Sequence, residues 1–231
     1  MERPTEARLR THRTRHVALI PKAVKGSGLT VYVGDEKKLF TVHKDLICTF
    51  SAFFRKACMP PWKESEGVIH FTMTSPDTFE LYVQWLYTSD SATLHDNKLT
   101  NMAEFENAYV LGDIVMDPYF KNVVMEALIK RVTKEAKYTL SLTSRIWRNT
   151  MPKSPLRAFY LDFIAYRSGT EWLDKKEGDA VRAPLEFWMD LSKHMLKVRA
   201  NDARNNRVSG TDSLWWLSPR LREKYFEWPE K

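Results

Sequence analysis

Two cysteines, eight glycines and the lack of any long apolar run limit what this 231-residue chain can be. Cys48 and Cys58 are too few for a cysteine-rich zinc site, and they read as small hydrophobic thiols rather than as a disulfide. The glycines form neither G-x-G-x-x-G nor G-x-x-x-x-G-K, so no loop is built to cradle a phosphate. No apolar stretch approaches the ~20 residues that a membrane helix requires, which predicts a soluble chain with no membrane contact. Arg3, Arg8, Arg10, Arg13 and Arg15 are followed by no apolar signal core, so an intracellular protein of the nucleus or cytoplasm is expected. His12, His16, His43, His70, His95 and His194 are read as scattered single residues and predict no metal site. Glu64 and Glu66 on a loop, and Asp77 and Glu80 on a helix, are expected to be solvated charges rather than an acid and base pair. The chain is thus expected to be no enzyme and to carry no cofactor or metal.

What is present is apolar and aromatic. A hydrophobic share of 43% and an aromatic share of 13% suffice for a core and exclude a chain disordered throughout. The net charge of +7 is unevenly placed: up to Gly28, seven basic residues face two acids, so this segment holds +5 of the total. The remainder is nearly balanced. Residues 1–28 are therefore expected to be a basic flexible tail in which only Val17 to Ile20 could pair with another strand.

The rest of the chain is organised around residues 38–58. Phe40 and Val42 alternate with Leu39, Thr41 and His43, which predicts a strand; from Lys44 the apolar residues Leu46, Ile47, Phe50, Phe53 and Phe54 fall at helical spacing. A strand thus runs straight into two short helices, with Thr49 and Ser51 as candidate caps of the second. Leu29 to Val33 forms a hairpin with that strand, residues 59–67 make a proline-containing surface loop, and Val68 to Phe71 is a third strand. Ser75-Pro76-Asp77 and Asp117-Pro118 each open a helix, where a capping side chain and proline suit the first turn. Further helices are predicted over 99–111, near 142–147, from Pro155 and from Pro184. Residues 201–210 are expected to be polar and mobile, and the aromatic residues of 214–228 to form either a flap on the last helix or an exposed partner motif.

This is an α+β plan, and its residues resemble a known family. Val31-Tyr32-Val33-Gly34, Phe40-Thr41-Val42-His43-Lys44-Asp45-Leu46-Ile47, Ser51-Ala52-Phe53-Phe54, Trp62-Lys63-Glu64, residues 79–88 and Ala108-Tyr109-Val110-Leu111-Gly112-Asp113 look like the BTB/POZ domain, in order, over about 28–131. Trp147 and Ser154-Pro155 are similar in style to fungal BTB proteins. The resemblance implies a small three-stranded sheet capped by a helical cluster over 29–131, an all-helical extension over 132–200, and a polar linker with an aromatic C-terminal segment over 201–231. His43, Asp45, Ser51 and Phe54 stand at its motif positions.

The resemblance also implies a function, that of a protein–protein interaction adaptor. In family members that serve cullin-based ubiquitin ligases, a hydrophobic-x-Glu loop inserts its apolar residue into a groove of the cullin scaffold. Met59, Trp62 and Glu64 are the matching candidates here, with Trp62 either an exposed anchor or a lid over Phe53 and Phe54. Protein partners, a cullin scaffold among them, and a monomer or weak homodimer are expected. The alternative is a chromatin-associated factor whose Arg8, Arg10, Arg13 and Arg15 contact phosphate, the tail being the one segment suited to nucleic acid.

Overall fold

Leu29, Val31 and Val33 are fully buried while Thr30 and Tyr32 are only half so, which is the signature of a strand with one face on a core. The computed structural model describes residues 4–60, 67–89, 99, 101–135, 143–167, 183–204, 218 and 221–228. The chain is α+β and divides into two compact units, Met1–Leu128 with Glu227–Lys231, and Ile129–Phe226.

In the first unit β1 (Gly28–Val33) pairs antiparallel with β2 (Lys38–His43), Gly28 opposite His43 and Val33 opposite Lys38. The connecting turn places Gly34 at φ 70, a conformation that glycine adopts without penalty. Its Cα also approaches Pro76 so closely that a Cβ would lie 3.1 Å from the proline ring. α2 (Lys44–Phe50) and α3 (Ala52–Ala57) follow at once, and β3 (Val68–Phe71) returns parallel to β1, Thr30 opposite Val68. The order β2-β1-β3 needs a crossover between β2 and β3, because β1 lies between them in the sheet. The two short helices lie within that crossover.

Helices cover the buried face of the sheet. α4 (Pro76–Thr88) is capped by Ser75, whose hydroxyl accepts from the Thr78 N–H at 3.3 Å; α5 (Met102–Ile114) begins with a reciprocal capping box between Asn101 and Glu104. α6 (Pro118–Glu135) starts at Asp117, and the division into units falls within it. Gly112 of α5 is required by close packing, since a Cβ there would come within 2.5 Å of Lys121 Cγ. Phe54, Phe71, Phe79, Tyr82, Trp85 and Phe120 form a chain of ring contacts through this core, with centroids 4.9–6.3 Å apart.

Three expectations need correction here. The segment expected to be a flexible tail holds a helix, α1, over Pro4–Ala23, whose Thr11 and Thr14 hydroxyls donate to the carbonyls of Ala7 and Arg10. Its segment has no glycine before Gly26 and holds good helix formers, and burial of His16 and Ala23 fastens it to the unit. Thr49 is no cap, because its hydroxyl donates back to the Asp45 carbonyl within α2. The polar stretch from Asn201 begins inside a helix, which continues to Arg204.

The second unit contains α7 (Thr143–Asn149), α8 (Pro155–Arg167), α9 (Leu185–Arg204) and a 3-10 turn over Arg222–Tyr225. Buried Arg157 ties α7 to α8: it donates to the carbonyls of Trp147 and Thr150, to the Thr150 hydroxyl at 3.1 Å, and to Glu186 at 2.6 Å. Buried Asp162 receives Tyr225 Oη at 2.5 Å, Lys224 Nζ at 2.6 Å and His194 Nε2 at 2.8 Å. Tyr225, expected on the last helix, thus docks on α8, where it also meets Phe159 edge to face. Leu214, Trp215, Trp216 and Leu217 lie outside the described residues.

Candidate protein-interaction site

The joint between β2 and α3 holds the motif residues. His43 is the N-terminal flanking residue of α2, and its side chain makes no cap bond. Both its N–H and its Nδ1 meet one hydroxyl, Tyr87 Oη, at 3.1 and 2.7 Å. The hydroxyl accepts from the backbone N–H, and its contact with Nδ1 joins the two side chains. The far end of α4 is thereby fixed to the end of β2. Asp45 lies exposed in the first turn of α2, where the helix dipole favours a carboxylate, and its Oδ2 packs so close to Gly26 that a Cβ there would be 2.5 Å away.

Ser51 is fully buried and acts in both directions. Its hydroxyl accepts from Phe54 N–H at 3.1 Å, capping α3, and donates to the Val115 carbonyl at 2.6 Å. Phe53 N–H reaches the same carbonyl at 3.3 Å, so the start of α3 is held to the end of α5. Phe54 is fully buried between Phe71 and Phe79. These residues fix the start of α3, which runs on to Ala57 just before the loop. That loop starts with Met59, which is 52% exposed, whereas Trp62 and Glu64 lie outside the described residues. His43, Ser51 and Phe54 are thus brought into one joint by their contacts, and Met59 emerges from its far end.

The arginines of α1 fall elsewhere. Arg8, Arg10 and Arg13 are on exposed positions, and Arg15 lies in the helix with its side chain outside the description. The Arg8 guanidinium stacks over the Trp228 ring at 5.4 Å. His12 and His16 stand four residues apart on α1, a helical spacing that a reading of scattered histidines misses. His16 is committed to packing: Nε2 contacts the Leu86 carbonyl at 3.0 Å, and the ring lies 3.7 Å from Phe50 and 4.7 Å from Trp85.

Buried titratable groups serve the frame. Burial pushes the Asp117 carboxyl up to about 7, against hydrogen bonds from the Phe120 and Tyr119 N–H groups and from Tyr82 Oη that favour its charge. Lys121, buried beneath the ring of Tyr109, pairs with Asp113 and with Glu227 at 2.6 Å. Asn122 and Glu227 exchange backbone and side-chain hydrogen bonds. Cys48 and Cys58 are free thiols, and burial with the neighbouring Cys58 raises Cys48 to about 12, which suits packing rather than nucleophilic chemistry.

A cavity of about 310 Å³ opens beside the start of α4, lined by Asp77, Thr78, Glu80, Leu81, Leu99 and Glu104. Two of its three acids are engaged: Glu80 meets Lys38 and Gln84, and Glu104 closes the capping box. Among the described residues no group of three or more histidine, cysteine or acidic side chains could hold a metal ion, and no helix is long and apolar enough to cross a membrane. The chain matches no protein-family model and no curated protein.

Proposed function

We propose that the first unit is a BTB/POZ-type module and that the chain is a non-enzymatic protein-interaction adaptor, with residues 59–64 as its contact to a cullin scaffold. The observation that carries this reading is the joint itself: β2 enters α2 without an intervening loop, Ser51 and Phe54 are buried at the motif positions, and Met59 leaves α3 into the solvent. The parallel return of β3 beside β1 fits the same plan. The rival nucleic-acid reading has less behind it, since Arg8 already covers Trp228.

The test is binding of the full chain to the N-terminal region of a cullin, followed by calorimetry. Trp62→Ala is expected to weaken binding more than about tenfold, and Glu64→Ala less, because a buried tryptophan anchor contributes about 2 kcal/mol or more. The melting temperature distinguishes the two roles of Trp62: an anchor leaves it unchanged on substitution, a lid over the core lowers it. Undetectable binding of the unaltered chain to any cullin ends the ligase reading.

A further inference from the structure

α9 is apolar on two sides. Its inner stripe, Phe187, Leu191 and Val198, is buried in the second unit. Its outer stripe is not: Leu185 is 74% exposed, Met189 49% and Leu196 56%. At 3.6 residues per turn these three lie within about 40° of one another, and exposed Ala200 continues their line. Three large apolar side chains aligned on the outside of a helix call for a cover.

We infer that this stripe pairs with the same stripe of a second copy, the two α9 helices crossing antiparallel about a two-fold axis. The sequence of the helix is complementary to itself in that direction. Centring the axis between Ser192 and Lys193 sets Met189 against Leu196 of the second copy, and Leu185 against Ala200. A two-fold axis of this kind brings like flanks together. On one flank, Glu186, whose Oε1 holds Arg157, then lies about 3 Å in rise from the level of the second copy's Lys197, within reach of an ion pair through its other oxygen, twice over. On the other, half-buried Trp188 stands at the same offset from Arg199 and Met195, giving a cation–π and a sulfur–aromatic contact. A parallel pair would instead face each flank with the opposite one, so that Glu186 and Lys197 would not meet.

Two features make the pair weak. Lys193 meets its own copy near the axis, and a stripe of about 22 Å supports less than the roughly 800 Å² per partner of a standard interface. The inference is independent of the adaptor reading, because it uses α9 alone. Sedimentation of the full chain over rising concentration tests it. A reversible dimer is expected in the range of about 10–500 µM; Met189→Asp abolishes it without changing the melting temperature, and Lys193→Leu tightens it more than about tenfold by replacing the repulsion with apolar contact. A chain that stays monomeric up to about 500 µM overturns the inference. So does a dimer that survives Met189→Asp, or one loosened by Lys193→Leu.

Discussion

Asp117 is wholly buried, caps α6 through Tyr119 and Phe120, and is held up to about 7 by that burial. Its carboxyl is therefore more protonated in the fold than in the open chain, where it titrates near 3.8. The sign follows: stability is greatest below that value and falls as pH rises through about 7, by on the order of a few kcal/mol. Asp117→Asn keeps an acceptor for the two N–H groups and removes the titration. Thermal melts across this range are expected to show the variant close to the unaltered chain in acid and more stable above neutral pH. Asp162 works in the opposite sense. Burial raises its carboxyl, but His194, Lys224 and Tyr225 outweigh burial and hold it below the usual value, so its contribution is lost as pH falls through that lowered value. Two buried aspartates thus bracket the pH range from either side.

Elements were readable where short-range chemistry decides them. Ser75-Pro76-Asp77 names a helix start by its own residues, and the Ser75 hydroxyl does accept from Thr78 N–H. Ser51 was legible as a cap for the same reason, though its second bond, to Val115 across 64 positions of chain, was not. α1 was missed because its charge suggests a tail, and what fixes it is a tertiary event: one histidine ring inserted between Phe50 and Trp85. The continuation of α9 past Asn201 was missed likewise, since a polar helical end has no apolar period to read. The insertion can be checked. His16→Ala removes a buried ring and leaves the Leu86 carbonyl without that contact, which is expected to cost about 1–3 kcal/mol. Amide exchange over Pro4–Ala23 is expected to quicken in the variant, while Val17→Ala, at a position 48% exposed, leaves it unchanged.

At the scale of the whole molecule, charge and apolar surface point to different partners, and ionic strength separates them. Seven basic residues against two acids in the first 28 positions leave the rest of the chain almost neutral, so any attraction for a polyanion originates largely in α1. If about four of these bases meet phosphates, log K against log salt falls with a slope of about −3 to −4, and a fourfold rise in salt costs roughly two powers of ten. A contact made through Met59 and Trp62 releases few counterions and is expected to change by less than about threefold over the same rise. Titrating one preparation of the full chain with duplex DNA and with a cullin N-terminal region at several salt concentrations therefore yields two slopes. Replacing Arg8, Arg10 and Arg13 by alanine is expected to flatten the first and leave the second untouched. A steep slope for the cullin, or its loss with the arginines, would place the contact on α1 and remove the loop from the mechanism.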